Sequence, residues 1–315
     1  MPSAPSTRSL LHTVAKLHYL QDMPQVEISR LLQLSTATVS RLLKRAREDG
    51  IVRIEVRDPE LGHEVGLRLA AALGLKQAIV IDAPVGAASM ACLAEPVGQV
   101  LEAAGLTPHS VVGLGWGRTV RDIVHAGLPD LGGGTIVPCS GGLDEPAAQY
   151  QVNELVRLAA ARTHGAPRFI HAPYLPSDEL RASILADPGV RATIALWDRL
   201  DAAVVGIGLP HRVDLAQGGT TTTPLDPSLL TAAGDVVQHY FDRDGRPLSW
   251  SGEARLLAIS PDQLRRTPLV IGVAGSVAKA PGILGAARAG LVNVVVTDVA
   301  TAQAVLELSG APTPA

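Results

Sequence analysis

Apolar residues in the first fifty positions recur with the period of a helix. Val39, Leu42, Leu43 and Ala46 follow i, i+3, i+4, i+7, the inward stripe of a helix over 36–48. A rotation of about 100° per residue puts Ala37, Arg41, Lys44 and Glu48 on its outer face. Before it, Val26, Ile28, Leu31, Leu32 and Leu34 offer a facing apolar surface on a shorter helix that begins after Pro24. Positions 33–35 leave room only for a tight turn, and Ser35 is a good helix N-cap, its hydroxyl accepting from a first-turn amide. This order predicts a helix-turn-helix, supported by a preceding helix over 10–20. Gly50 suits a left-handed cap, and 51–56, IVRIEV, alternates as a strand or small wing would.

Past Pro59 the pattern changes to short β-branched runs separated by helix-length segments. An amphipathic helix is expected over 60–73, then strand-like runs at 78–81, 111–115, 135–139, 166–172, 202–208, 269–275 and 292–298. Helical segments at 147–164, 178–200 and 298–309 lie between or after them. This rhythm predicts an α/β fold with a mostly parallel sheet covered on both faces, and two domains, a head at 1–57 and a body at 58–315.

Charge is sorted along the same boundary. Residues 1–57 hold nine Lys/Arg against five Asp/Glu, a net of +4 that leaves −7 for the remainder of a chain whose total is −3. Four cations fall between Arg41 and Arg47. A solvated helical hairpin would also carry surface cations, but a basic head on an acidic body suits a module that meets phosphate while its body stays off DNA. Ser35, Thr36, Ala37, Thr38, Ser40, Arg41, Lys44 and Arg45 are the candidates for contact with double-stranded DNA. No apolar run reaches the ~18 residues of a membrane span and no secretory signal opens the chain, so a cytoplasmic protein without membrane attachment is expected. Cys92 and Cys139 lack the spacing of a metal site or a disulfide framework. The nine histidines show no ligand spacing, and neither metal nor cofactor is expected.

In parallel sheets, ligands sit beyond the carboxyl ends of the strands. Four loops there stand out: GLGWGRT at 113–119, PCSGG at 138–142, the 234–245 stretch with Gly234–Asp235 and FDRDG, and GVAGSVAK at 272–279. Glycines admit a ligand close to the backbone, and Arg118 or Thr119 at the next helix start suits phosphate. Each loop also has the composition of an ordinary tight turn. None is a nucleotide signature: GLGWG is GxGxG, and no GK[ST] follows Gly275. Lys279 is the only lysine after Lys76, a point charge for phosphate or a solvated helix residue. Asp235 is the better acceptor for sugar hydroxyls, while Asp242 reads equally as a turn-former. Asn153 is either a pocket amide or an exposed helix residue.

The order ISRLLQLSTATVSRLLKRAREDGIVRIEV, GLGWGRT, a PxxGG loop, Asn153 on a long helix, GIG at 206–208, GD followed by FDRDG, and AGSVAKA with LVNVVVTDVATA resembles the SorC/DeoR-type sugar-responsive bacterial regulators over nearly the whole chain. The resemblance implies a winged-type helix-turn-helix head joined to an effector domain similar to ribose-5-phosphate isomerase and glucosamine-6-phosphate deaminase. It implies operator DNA as one partner, a phosphorylated sugar or polyol as effector, and a homodimer or homotetramer. It also implies effector contacts at Gly117, Arg118 and Thr119, at Ser140, Gly141 and Gly142, and at Asn153, Asp235 and Lys279. Some relatives carry Lys or Arg in the PxxGG loop where this chain has Cys139 and Ser140, which argues against a covalent sugar imine there. Ala280, Pro281 and Gly282 follow Lys279 and shift the expected helix start. An isomerase or deaminase carrying a DNA-binding head, with Asp235 or Asp242 as base, and a ligand-free architectural DNA-binding protein are the competing readings.

Overall fold

In the computed structural model the Ser35 hydroxyl accepts the Thr38 amide proton at 3.1 Å, starting a helix at Thr36. The described residues are 7–52, 59–83, 90–143, 147, 151–211 and 226–311. Two units divide the chain, Met1–Arg57 and Asp58–Ala315. The first holds α1 (Thr7–Tyr19), α2 (Gln25–Leu31) and α3 (Thr36–Glu48). Val14, Ile28, Val39 and Leu43 are buried together between them, and Leu11, Ala15 and Ala46 close a second small cluster. Gln33 takes the left-handed conformation at φ 53°, which lets the chain reverse between α2 and α3 within one turn. The facing surface of α2 is narrower than its apolar residues suggest. A seven-residue helix turns Ile28 fully inward but leaves Val26 and Leu31 48% and 60% exposed. Gly50 caps α3 at φ 70°. The expected wing lies, from residue 53 on, outside the described residues; Ile51 and Val52 pack against the second cluster.

The second unit is built on a seven-stranded parallel sheet. Its strands are β1 (Gln77–Ile81), β2 (Val111–Leu114), β3 (Thr135–Pro138), β4 (Ala166–Pro167), β5 (Ala202–Gly206), β8 (Leu269–Val273) and β9 (Val294–Asp298), in the order β1-β9-β8-β5-β2-β3-β4. The remaining two, β6 (Gly234–Val236) and β7 (His239–Phe241), pair as an antiparallel hairpin. The helices are α4 (Pro59–Leu73), α5 (Ala94–Ala103), α6 (Arg118–Ala126), α7 (Val152–Arg162), α8 (Asp178–Ala186), α9 (Pro188–Ile194), α10 (Pro261–Arg266), α11 (Ala280–Arg288) and α12 (Val299–Ser309). Side chains alternate between the two faces with the strand period of two. Val111, Ala203, Val205, Val270 and Val295 join one core with residues of α4, α11 and α12. Val112, Ala202, Val204, Ile271, Val294 and Val296 join the other with α5, α6 and α7. Burial on both faces is why these strands read as continuous apolar runs.

Three elements differ from the sequence pattern. The run at 166–172 forms only a two-residue edge strand, because past Pro167 the chain leaves the sheet. The stretch at 178–200 breaks at Pro188 into α8, α9 and a 3-10 segment, since proline lacks the amide that would continue α8. The stretch at 234–245, read as a loop, contains the β6-β7 hairpin, whose Val237 and Gln238 both sit at positive φ, 50° and 65°.

Candidate functional site

The strand order reverses direction at β2. From β2 the chain proceeds outward through β3 and β4, then returns to add β5 on the other side. Such a switch point leaves a crevice at the carboxyl ends of the strands, because the following helices depart to opposite faces. A cleft of about 130 Å³ lies there, open at its mouth.

One wall is the turn from β2 into α6. Gly115 crosses close over β5, its amide bonded to the Val204 carbonyl at 2.9 Å. Gly117, at φ 125°, takes a backbone conformation that a side chain would strain, and caps α6 with open space before it. The first amides of α6 thus face the cleft beside exposed Arg118 and buried Thr119. Lys279 also lines the cleft; it closes a 3-10 turn (Val277–Lys279) and is itself the N-cap of α11. Pro281 sits in the first turn of α11, where its missing amide costs nothing. Ser276 leads into that turn at φ 113°, a strained value held by hydrogen bonds from its amide to Thr301 Oγ1 (3.0 Å) and Asp298 Oδ2 (3.3 Å).

The floor is backbone packed on backbone. A Cβ at Gly234 would come within 2.8 Å of the Gly282 Cα, and one at Gly282 within 2.8 Å of the Gly208 carbonyl. A Cβ at Gly208 would collide with the Asp235 carboxylate, which therefore rides directly over that backbone. Asp235 Oδ2 accepts the Gln238 amide proton at 3.0 Å, and the Tyr240 hydroxyl donates to Gln238 Oε1 at 3.0 Å. These bonds hold the Val237–Gln238 turn over the cleft. Arg118 and Lys279 bring positive charge to the cleft lining and Asp235 brings an acceptor.

The cleft thus brings together Gly117, Arg118, Thr119, Asp235 and Lys279. Ser140, Gly141, Gly142 and Asn153 are not among its lining residues. Ser140 is 1% exposed, and the Gly141 and Gly142 amides bond to the Leu257 and Ala172 carbonyls at 2.8 Å. A Cβ at Gly141 would meet the Ala172 and Pro173 backbone at 2.7–2.8 Å, so this glycine serves a chain crossing. Burial pushes the adjacent Cys139 thiol up to about 12, leaving it inert. Asn153 donates to the Ile170 carbonyl (3.0 Å) and accepts the Ile170 amide (3.2 Å), tying α7 to the chain after β4. Asp242 Oδ1 accepts from the Asp244 and Arg246 amides at 2.9 Å, the bonding of a turn-former. Sequence reasoning missed His211 and Gln238. His211 follows the GIG end of β5, and applying the strand-end rule to that fifth loop would have found it.

On the head, Ser35, Thr36, Ala37, Ser40, Arg41, Lys44 and Arg45 are exposed and Thr38 is half-buried. Lys44 and Arg45 lie 3.8 and 3.5 Å from Glu48 and Asp49, loose surface pairs that phosphate can replace. Among the described residues no helix is long and apolar enough to cross a membrane, and no group of three His, Cys, Asp or Glu side chains is placed to hold a metal ion.

Residues 59–307 match the sugar-binding domain family, and residues 16–49 match sigma-70 region 4, a helix-turn-helix region. The sorbitol operon regulator of Klebsiella pneumoniae is 32% identical over 309 residues, covering 95% of this chain and 98% of that protein. The deoxyribonucleoside regulator of Bacillus subtilis is 27% identical over 93% of this chain and 95% of its own. The crystal structure of the full-length Klebsiella regulator SorC superposes with a TM-score of 0.71 at 30% identity, covering 96% of this chain and 100% of that one. With its helix-turn-helix head, its parallel-sheet body and these matches along both, the chain belongs to the SorC family of transcriptional regulators with a sugar-binding domain.

Proposed function

We propose that the cleft binds a phosphorylated sugar or polyol, and that binding changes the affinity of the head for operator DNA. The carrying observation is the pairing of the open α6 N-terminus, Arg118 and Lys279 with Asp235 across one crevice. A phosphate fits the first group, because the helix amides and two cations favour a dianion. Sugar hydroxyls fit the second. The effector is sensed rather than turned over: the relatives are named as regulators, and among the described residues the carboxylate lining the cleft is Asp235, which holds the Gln238 amide. The regulator acts in the cytoplasm as a homodimer or homotetramer, its paired heads reading two half-sites of a near-palindrome. A coupling of about 1–3 kcal/mol changes operator affinity roughly 5- to 150-fold, provided the effector favours one DNA-binding arrangement over the other.

Thermal-shift measurements against free and phosphorylated sugars and polyols, repeated with Lys279→Ala, test this reading. A sugar phosphate should raise the melting temperature of the wild type and not of the variant. A variant that responds like the wild type removes Lys279 from the site, and no shift with any sugar phosphate refutes the effector class.

A further inference from the structure

His211 lines the cleft with its side chain 1% exposed, and among the described residues neither ring nitrogen has a hydrogen-bond partner. Its position is fixed twice over. The His211 amide donates to the Ala232 carbonyl at 3.2 Å, and the ring stands edge-on to Tyr240, with centroids 5.7 Å apart and planes at 87°. Tyr240 in turn packs edge-on against Trp250. A buried imidazole without partners is costly, and proteins keep such groups where a ligand or an ordered water completes them.

We infer that His211 is a specificity residue that hydrogen-bonds a hydroxyl at the sugar end of the effector. The chemistry favours a hydroxyl over the phosphate. A neutral imidazole offers one donor and one acceptor, which a hydroxyl matches with its own acceptor and donor, whereas a phosphate dianion takes donors alone. Asp235 lines the same cleft and offers a second acceptor, and Arg118 and Lys279 offer cations for the phosphate. The Tyr240 hydroxyl is already given to Gln238, whereas among the described residues both His211 ring nitrogens lack a hydrogen-bond partner. An effector lacking the matching hydroxyl leaves the imidazole unpaired, and the cleft rejects it on that ground. This inference rests on the proposed function.

The test is calorimetric titration of the full-length protein with sorbitol 6-phosphate, fructose 6-phosphate, deoxyribose 5-phosphate and inorganic phosphate, comparing wild type, His211→Phe and His211→Gln. The wild type should bind at least one sugar phosphate more tightly than inorganic phosphate. His211→Phe should lose roughly 10- to 100-fold for that sugar phosphate, the scale of an unpaired buried hydroxyl, and bind inorganic phosphate unchanged. His211→Gln, which restores a donor and an acceptor, should recover part of the loss, and it decides the question should the phenylalanine variant not fold. Equal binding of the sugar phosphate by all three proteins overturns the role of His211 and leaves the proposed function standing. A wild type that binds none of the four probes overturns both.

Discussion

Gly208→Ala tests the geometry of the cleft most directly. The added Cβ would collide with the Asp235 carboxylate and lie 3.4 Å from the Asp235 amide nitrogen. The backbone has little room to give, because Gly208 is also bonded to the Asp235 carbonyl at 2.9 Å and sits under Gly282 and Gly234. The carboxylate must therefore rotate away and release the Gln238 amide, a hydrogen bond to a charged group worth about 1.5–3 kcal/mol. Its loss also frees a hairpin turn in which Val237, a β-branched residue, is held at φ 50°. For a unit of this size each kcal/mol moves the melting temperature by roughly 2–4 °C, so a fall of about 3–12 °C is expected. Scanning calorimetry reads that fall, and effector titration should show loss of binding. DNA binding without effector should persist, because the substitution lies outside the Met1–Arg57 unit. A variant that melts with the wild type and still binds effector would refute both the position assigned to the Asp235 carboxylate and its part in the site.

Three further outcomes are open to measurement. Arg41→Ala should weaken specific operator binding by about 1–3 kcal/mol if the exposed guanidinium reads a base edge; a uniform loss across sequences with a shallower salt dependence identifies a phosphate contact instead. Burial holds the His239 imidazole below its ordinary range although its Nε2 bonds the Ile259 carbonyl at 2.7 Å. The unfolded chain therefore takes up this proton first. Stability should be insensitive to His239 above about pH 6.5 and fall below it by up to about 1.4 kcal/mol per pH unit, a slope that denaturant titrations should find flattened in His239→Gln. Of the two thiols, exposed Cys92 should react with iodoacetamide at pH 8 while buried Cys139 reacts only in denaturant, and modification of both in the native protein would contradict the burial of the β3 end.

What the sequence made legible follows from where a single local rule decides the outcome. The α3 face needed only the helical period and a capping serine, and the strand ends needed only β-branched runs that stop at glycine. The rule that loops after parallel strands carry ligands gathered Gly117, Arg118, Thr119, Asp235 and Lys279 from three separate segments. The same rule drew in the 138–142 loop, because glycines required by chain crossing have the composition of glycines required by a ligand. Asn153 was ambiguous for a different reason. Its partner, Ile170, lies 17 residues away in an irregular segment, and no periodicity links the two. The turn at Val237 and Gln238 was hidden by its own chemistry: turns with two left-handed residues favour Asn-Gly, and a valine there signals strand.

The TDVATA segment at 297–302 illustrates what local patterns leave out. Asp298 and Thr301 do not line the cleft. Asp298 Oδ1 accepts the Thr301 amide at 2.8 Å and caps α12, while its Oδ2 accepts the Thr301 hydroxyl at 2.6 Å. The pair then takes the amide of Ser276, whose strained backbone opens the turn that ends at Lys279. A conformation costing about 1–3 kcal/mol persists only where its surroundings overdetermine it. Here the surroundings are a helix cap on the neighbouring strand, so the motif acts on the cleft by fixing the direction from which Lys279 enters. In the fold, the aspartate and threonine shape the turn that brings Lys279 to the cleft.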